Sequence, residues 1–344
     1  MPSSPRILCN MVVRQSPEWL AATDTVYDLD RAAEADASPA AEAWRLFRRG
    51  GGYDVVVTMG SRTSLLYGLL CRIARRPARQ ILTEVFIDPE PPRPGPVWRV
   101  KNRLFRAVVR RSLGVLTNSS EEVRTMAVRY GLPEDRFVYV PMHTNLTDLG
   151  RSDADDGFVL CAGRTLRDFD TLARAAPAIR APVVAVCGHG DLRGPNRPAN
   201  LEVRREILRH AYLDLLRRCT AVALPLRPVP RSTGQVVMLE AMALGKPVVT
   251  NPAPGTLDHI RDGETGLLVP PGDPAALADA VNRLLDDRGL RDRLADRALA
   301  EVAENYTYAA HIRAKLEAIR KLWGRGGSRG QSPPLNPRVQ PDEG

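Results

Sequence analysis

Four residues, Ser232, Thr233, Gly234 and Gln235, stand directly before an apolar helical stretch that contains a single acid, Glu240. The N-terminus of a helix carries unpaired N–H groups and the positive end of the helix dipole, so it attracts anions. Small residues at this point let an anion approach the backbone, and the polar side chains add hydrogen-bond donors. The pattern therefore favours the binding of a phosphate group where the helix begins.

The position of Glu240 extends this prediction along the helix. It lies five residues after Gln235, which is roughly 7 Å at about 1.5 Å per residue. That is about the span from the diphosphate of a nucleotide to its ribose. A carboxylate can accept hydrogen bonds from the two hydroxyls of the ribose. We therefore predict a nucleotide-diphosphate site over 232–236, with Val236 as its first apolar residue and Glu240 at the ribose. In the alternative, Ser232 and its neighbour cap the helix and Glu240 forms a buried ion pair; the local pattern does not decide.

Further polar residues follow two strands of the same half of the chain. Arg164 comes after the strand 158–162 and a glycine, and Arg167 is three residues further on. Gly188 and His189 follow the strand 183–187. Ligands of open α/β sheets bind at the carboxyl ends of the strands, where two guanidinium groups would neutralise a diphosphate. The alternatives are two surface arginines in an arginine-rich protein and a histidine in a surface loop.

The elements that must position these residues alternate between strand and helix, which is typical of an α/β fold with parallel sheets. Residues 144–157 are polar and without periodicity, so we place a domain boundary there. The predicted units are 1–148, 149–323 and a disordered tail over 324–344. The first unit is expected to be short, because residues 1–50 show no glycine-rich strand–helix turn. Strands are predicted at 54–59, 80–87, 114–117, 136–140, 158–162, 183–187, 221–224 and 248–250.

Composition narrows the class of protein. The chain has 344 residues and a net charge of +9, which favours anionic partners. No nucleic-acid motif is present and aromatic residues make up only 5% of the chain, so nucleic acid is not an expected partner. No apolar run reaches the length of a membrane span and no signal peptide is recognisable, which predicts a cytoplasmic protein. The five cysteines lack metal-site spacing and are expected to be buried thiols.

The segment 231–273 resembles the donor-binding half of the group 1 retaining glycosyltransferases, which have the GT-B fold. The resemblance rests on LEAMALGKPVV (239–249) followed by GTLDHIRDGETGLLVPPGD (255–273), with YVPMHTN, CAGR and VCGHGD before them in the expected order. It extends over roughly residues 110–325. It implies two Rossmann-like domains whose parallel sheets face each other across a cleft, with 1–148 on the acceptor side and 149–323 binding a nucleotide sugar.

The family's Glu-x7-Glu pattern frames the donor, and this chain departs from it. The second acid matches Glu240, which implies ribose binding. The first falls on Ser232, which implies altered recognition of the donor sugar. The family's pair of phosphate-binding cations matches Arg164 and Arg167.

A polar residue that follows a first-domain strand lies near the sugar in the family. In this chain the strand is ILTEVFIDP, where Glu84 and Asp88 are the candidates, with Glu84 as the catalytic one. An ordinary strand end is the alternative. His143 is a further candidate near the cleft.

The activity implied by the resemblance is transfer of a sugar, of the hexosyl type, from a nucleotide-diphosphate donor with retention of configuration. No cofactor or metal ion is expected, because the helix dipole and basic side chains carry the charge of the leaving group. Asp153 and Asp155 have the spacing of a metal motif but fall in the polar linker. A non-catalytic glycosyltransferase-like subunit and a GT-B-like sugar-nucleotide epimerase are the alternatives.

The expected acceptor is a glycan, a glycolipid or a small molecule. The segment Trp98–Arg111 places Trp98, Leu104, Phe105 and Val108 among six basic residues. Such a basic amphipathic helix favours peripheral contact with an anionic membrane at its inner face. The alternative is a helix that packs on the core and has an arginine-rich outer face.

Overall fold

The computed structural model describes residues 4–13, 15–27, 38–77, 79–85, 93–193 and 197–327. Its strands form two sheets of six, and every strand pair is parallel. The first sheet contains β1 (Ile7–Cys9), β2 (Thr23–Thr25), β3 (Val55–Met59), β4 (Gln80–Thr83), β5 (Gly114–Thr117) and β6 (Phe137–Tyr139). The second contains β7 (Val159–Ala162), β8 (Val183–Cys187), β9 (Leu201–Arg205), β10 (Ala221–Leu224), β11 (Val248–Thr250) and β12 (Leu267–Leu268).

The order of the strands is β2-β1-β3-β4-β5-β6 in the first sheet and β12-β11-β10-β7-β8-β9 in the second. Parallel neighbours require crossover connections, and helices supply most of them. The helices are α1 (Pro17–Ala22), α2 (Pro39–Arg49), α3 (Ser61–Ile73), α4 (Pro96–Arg111), α5 (Ser120–Tyr130), α6 (Phe169–Ala175), α7 (Arg209–Arg218), α8 (Gln235–Ala243), α9 (Pro274–Asp286), α10 (Arg288–Asn305) and α11 (Tyr308–Gly327). None of the helices in these ranges has the length and apolar character needed to cross a bilayer.

Local sequence explains where several helices begin. The side chain of Asp273 accepts hydrogen bonds from the N–H groups of Ala275 and Ala276, and Pro274 occupies the first turn of α9. This combination satisfies helix donors that would otherwise be unpaired and fixes the backbone in a helical φ. Serine caps α2 and α5 in the same way, through Ser38 and Ser119.

Helix α8 is buried along almost its whole length, which sets it apart from the amphipathic helices. It packs with α7 and α10 on one face of the second sheet, and α6 and α9 cover the other face. The seven residues from Val237 to Ala243, six apolar and one acidic, are all buried. The polar residues at its start are thereby held in a fixed place between the sheet and the first unit.

The position of the last helix, α11, differs from the one that the predicted domain division gives it. The sequence predicts that 149–323 forms the second unit, but Ile312, Leu316, Ile319 and Leu322 of α11 pack in the core of the first sheet. These residues recur at helical spacing and form one apolar face, which the first sheet buries. In the structure, residues 308–323 thus pack with the first sheet, whereas the predicted division places them in the second unit. The helix continues to Gly327, so residues 324–327 of the predicted tail are helical, and 328–344 lie outside the described residues.

The first unit contains more structure than the sequence pattern indicates. Strands β1 and β2 were not among the predicted strands, because three residues are too few to show a periodicity. With them the first sheet has as many strands as the second, although the first unit is expected to be short. The predicted strand 80–87 ends at Thr83, and Asp88 lies outside the described residues.

Candidate functional site

A cavity of about 270 Å³ opens at the carboxyl edge of the second sheet. The carboxyl ends of β7 and β8 and the loops that follow β7 and β9 form one wall, and α7 and α8 form the other. Its lining residues are Ala162, Gly163, Arg164, Val186, Cys187, Glu206, Ile207, Arg209, Tyr212, Val236, Val237 and Glu240. Three of the predicted site residues, Arg164, Val236 and Glu240, therefore meet at one cavity.

Glu240 is fully buried and lies in the middle of α8. Its Oε1 accepts a hydrogen bond from Arg209 Nη2 at 2.7 Å, and its Oε2 accepts one from the Tyr212 hydroxyl at 2.9 Å. Asn145 Nδ2 approaches Oε1 at 3.4 Å. The ion pair foreseen as the alternative is thus present, and it borders the cavity. Arg209 Nη1 also donates to Oε2, at 3.2 Å, so both oxygens already accept two hydrogen bonds and a ligand hydroxyl would have to replace one of them.

The charge of Glu240 acts on both of its α7 partners. Its hydrogen bond raises the pKa of Arg209, so the guanidinium stays charged. Burial, and then the neighbouring carboxylate, raises the pKa of the Tyr212 hydroxyl well above its usual range, so the hydroxyl remains a hydrogen-bond donor. The side chain of Arg209 is 50% exposed, which leaves this cation accessible from the cavity.

The two arginines predicted to bind phosphate lie in different surroundings. The side chain of Arg164 is 66% exposed and Nη2 lies 2.7 Å from Glu206 Oε2 at the edge of the cavity. Arg167 is buried, and its Nε and Nη1 donate to the carbonyl oxygens of Ala162 and Thr165 at 2.8 and 2.9 Å. Burial lowers the pKa of Arg167. Arg167 therefore holds the loop that carries Arg164. Arg164 lines the cavity, and Arg167 does not.

Gly163 lies against this buried guanidinium. A Cβ on Gly163 would lie 2.4 Å from Arg167 Nη2, and φ there is +127°. Only glycine accepts both conditions without strain. The turn after β7 is thus built so that Arg164 can project at the cavity while Arg167 lies beneath it.

The polar residues at the start of α8 are more enclosed than the sequence predicts. Thr233 Oγ1 donates to the carbonyl of Thr165 at 3.2 Å, and Gln235 Nε2 donates to the carbonyl of Asn118 at 2.7 Å. Ser232 N donates to Glu122 Oε1 at 2.8 Å. The side chains of Thr233 and Gln235 and the backbone N–H of Ser232 join the start of α8 to the first unit and to the loop after β7. These three donors are therefore already paired with protein groups.

Gly234 makes the turn into α8. Its φ is +85°, and a Cβ would lie 2.9 Å from Leu226 Cδ1. We expect Gly234→Ala to lower the free energy of unfolding by about 1–3 kcal/mol, through backbone strain and the close contact. Urea unfolding followed by circular dichroism measures this. Gly150→Ala is the control, since no atom lies within 4 Å of a Cβ there; equal losses in the two variants would contradict the prediction.

Gly188 and His189 lie at the same sheet edge, after β8. Gly188 is buried, and its N–H donates to Asp191 Oδ2 at 3.1 Å. His189 is exposed and its carbonyl accepts from Arg193 Nε. Neither lines the cavity, which ends at Cys187 on this side.

Glu84 belongs to a separate polar cluster on the first sheet. It directly follows β4, has a φ of +51°, and its Oε1 lies 3.5 Å from Lys315 Nζ of α11. Burial lowers the pKa of Lys315, and Glu84 opposes that shift. The ring of His143 lies 4.6 Å from that of His311, and burial lowers the pKa of both, in His311 to about 3. Glu84 thus directly follows β4 and pairs with a buried cation.

Sequence reasoning missed Arg209, Tyr212, Lys315 and Glu122. The first two contact Glu240 from 31 and 28 residues away, so the packing of α7 on α8 brings them together. Lys315 had a local signal, because it stands on the apolar face of α11 between Ile312 and Leu316. In the described residues, no group of three His, Cys, Asp or Glu side chains is arranged to hold a metal ion. All five cysteines are buried and unpaired, as expected.

Two family models match the chain. Residues 157–287 match the model described as "Glycosyl transferases group 1", and residues 13–147 match "Glycosyltransferase Family 4". The chain is 32% identical over 248 residues to the D-inositol 3-phosphate glycosyltransferase of Nocardia farcinica, which covers 62% of this chain and 54% of that protein. It is 43% identical over 75 residues to the alpha-D-kanosaminyltransferase of Streptomyces kanamyceticus, covering 22% and 19% of the two chains. The matches thus span about half or less of these relatives.

Solved structures share the fold at low identity. The Anabaena protein Alr3699/HepE in complex with UDP-glucose is 17% identical, with a TM-score of 0.60 over 89% of this chain and 86% of that one. Sucrose-phosphate synthase from Thermosynechococcus elongatus is 20% identical, with a TM-score of 0.65 over 83% and 77%. The two family models match consecutive segments of the chain, and each segment contributes to one of two parallel six-stranded sheets; the chain belongs to the group 1 glycosyltransferases and has their GT-B fold.

Proposed function

We propose that the chain transfers a sugar from a nucleotide-diphosphate donor, bound in the cavity between α7, α8 and the carboxyl edge of β7–β9. The observation that supports this most is the meeting of Arg164, Val236 in the first turn of α8 and the buried Glu240 at one cavity. The diphosphate would lie between Arg164 and the helix start, and the ribose at Glu240. In this proposal the ribose hydroxyls displace Arg209 from part of the carboxylate, which its half-exposed side chain permits.

Groups of the chain itself stabilise the negative charge of the leaving diphosphate. The N-terminus of α8 presents backbone N–H groups and a positive dipole end, and Arg164 adds a full charge. The proposed reaction therefore uses no metal ion or cofactor. Ser232, Thr233, Gly234 and Gln235 act by fixing the helix start, and Arg167 by fixing the loop of Arg164.

Retention of configuration is proposed from membership of the family. The acceptor oxygen would attack the anomeric carbon on the face that the diphosphate leaves. The bond between that carbon and the phosphate oxygen breaks, the new glycosidic bond forms, and the acceptor hydroxyl proton passes to the departing phosphate oxygen. The acceptor would lie on the side of the first sheet, where Glu84 follows β4.

A ligand screen tests the donor site. We expect UDP or GDP, and the matching UDP-glucose or GDP-mannose, to raise the melting temperature, because a ligand that binds only the folded state stabilises it. Transfer or donor hydrolysis then tests catalysis, and release of a free 2-epimeric sugar would identify an epimerase. No stabilisation by any of these nucleotides at millimolar concentration would overturn the proposal. Binding with neither transfer nor hydrolysis would instead indicate a non-catalytic subunit.

We also propose that α4 rests on an anionic membrane surface, which would make a glycolipid or lipid-linked sugar the acceptor. Phe105 and Val108 pack in the core, so the predicted apolar set is divided. A second apolar row remains outside: Val97, Val100 and Leu104 are 80%, 59% and 38% exposed. These three share one face of the helix by their spacing, and exposed basic residues flank them at 99, 101 and 103.

Vesicle sedimentation checks this surface. We expect binding to vesicles that contain phosphatidylserine, weaker binding in high salt, and severalfold weaker binding of the double variant Val100→Ser/Leu104→Ser. Val128→Ser is the control, because this residue of α5 is 78% exposed and lies on another helix. If the double variant binds as the wild type does, α4 is not the contact.

A further inference from the structure

The first turn of α5 touches the second unit at the start of α8. Asn118 and Ser119 accept hydrogen bonds from Gln235 Nε2 at 2.7 Å and from Gly255 N at 3.1 Å. Glu122 Oε1 accepts from Ser232 N at 2.8 Å. The carboxyl edge of the first sheet, from which α5 departs, therefore faces the predicted phosphate end of the donor site.

Glu122 has unused capacity for hydrogen bonding at this contact. It is 6% exposed, and its Oε2 accepts from Asn118 N at 3.2 Å. Each carboxylate oxygen has two lone pairs, so one on each oxygen is left by these two bonds. A cavity of about 160 Å³ between α5 and residues 230–231 adjoins Glu122. Among the described residues of the first unit, Glu122 is the carboxylate that hydrogen-bonds the α8 start.

The hydroxyl of Ser232 is an independent sign of a missing partner. The residue is 3% exposed, and its Oγ makes no hydrogen bond in the structure. Burying a hydroxyl without a partner costs free energy, so such groups are rare in native proteins. Its backbone N–H is already bonded to Glu122. A ligand hydroxyl at this point would meet both the carboxylate and the serine hydroxyl.

The proposed donor orientation says which part of the ligand lies there. Glu240 lies in the middle of α8 and Ser232 precedes its first turn. With the ribose at Glu240 and the diphosphate at the helix start, the sugar on the outer phosphate lies beyond the start, toward the first unit. We propose that Glu122, supplied by the first unit, recognises a hydroxyl of the transferred sugar and so determines donor specificity. This inference rests on the proposed function.

Affinities for paired ligands test the role of Glu122. We expect Glu122→Gln to weaken the binding of UDP-glucose about tenfold to a hundredfold. This is the effect of losing a hydrogen bond to a charged group. The affinity for UDP, which has no sugar, should change less than about threefold. GDP-mannose and GDP replace them if only guanine nucleotides stabilise the wild type. The matched control is Glu121→Gln, an exposed acid one residue earlier in α5.

Monodeoxy donors make the test specific to a hydroxyl. Four analogues of UDP-glucose each lack one hydroxyl, at carbon 2, 3, 4 or 6 of the sugar. The wild type should bind at least one of them more weakly than it binds UDP-glucose. Glu122→Gln should show no further loss for that analogue, because the interacting pair is already broken. Additive losses for all four analogues would overturn the inference. So would an equal loss for UDP and UDP-glucose, which would mean that Glu122 only joins the two units.

The outcome separates the two proposals. If the wild type and Glu122→Gln bind UDP and UDP-glucose with the same affinities, the inference fails and the donor site stands. If the wild type binds no nucleotide, the proposed function fails and this inference with it. Glu122→Asp, which keeps the charge on a shorter side chain, replaces Glu122→Gln if that variant does not fold. A measured UDP affinity near that of the wild type shows that the second unit is intact.

Discussion

Replacing Glu240 by alanine is expected to abolish the thermal stabilisation by nucleotides and to lower kcat/KM for the donor at least a hundredfold. Two ribose hydroxyls would each lose a charged acceptor, and each such hydrogen bond contributes about 1.5–3 kcal/mol. The same change removes the acceptor of the buried Tyr212 hydroxyl and the partner of Arg209. We therefore also expect a loss of about 1–3 kcal/mol in the free energy of unfolding.

Glu240→Gln separates binding from folding. It keeps the volume and one acceptor for Tyr212 but removes the charge, so it should fold more stably than Glu240→Ala while still binding nucleotides poorly. Titration of each variant with UDP or GDP, beside the exposed control Glu304→Ala on α10, measures the effect. If Glu240→Ala unfolds cooperatively and keeps the full nucleotide-induced shift in melting temperature, the ribose does not bind there. Glu240 would then act only as the partner of Arg209.

This prediction separates two roles that the local sequence left open. A single acid in an apolar helix is compatible with a ligand site and with an ion pair, and the structure gives Glu240 both a cavity and a cation. The pair also explains how a carboxylate remains buried at 0% exposure before any ligand binds. Arg209 compensates the buried charge, and its own exposed half lets it move aside.

Regular elements with strong local signals could be predicted from the sequence. The strands at 54–59, 114–117 and 221–224 are predicted from short, mostly apolar runs, and the structure has β3, β5 and β10 in these places, mostly buried. The start of α9 follows from an N-cap acid before proline. In these places the local chemistry and the tertiary environment favour the same conformation.

Features that depend on contacts between distant residues could not be predicted in the same way. Three-residue strands such as β1 are formed because neighbours in the sheet pair with them, which leaves no local period. The return of α11 to the first sheet is set by which of two sheets offers an uncovered apolar face. Glu122 stands in an ordinary first turn, rich in acids as helix starts are, and gains its importance only from Ser232, 110 residues away.

The two arginines after β7 show how one sequence pattern divides into two roles. Both follow the strand at the edge where ligands bind, and both carry the same charge. The left-handed glycine and the inward turn of the loop bury Arg167 and expose Arg164. Only a side chain that can leave its partner is suited to receive a charge that develops during the reaction.

Arg164→Ala is therefore expected to lower kcat about a hundredfold to a thousandfold, the effect of losing a fixed group that stabilises developing charge. The melting temperature should change little, because the ion pair with Glu206 is exposed and such pairs contribute little to stability. The rate of transfer, or of donor hydrolysis without acceptor, measures the effect. Arg164→Lys should recover part of it, since lysine keeps the charge but loses the two-pronged contact with phosphate.

Arg180→Ala is the matched control for this prediction. Arg180 is also exposed, at 61%, and also pairs with an acid, Asp286, but it lies away from the cavity. Arg167→Met should behave differently from both: its guanidinium holds two backbone carbonyls, so the main loss is expected in stability. If Arg164→Ala keeps kcat within twofold of the wild type while Arg167→Met removes activity in a folded protein, the buried arginine is the one that meets the diphosphate. The roles of the two arginines would then be reversed, and the loop after β7 would have to open when the donor binds.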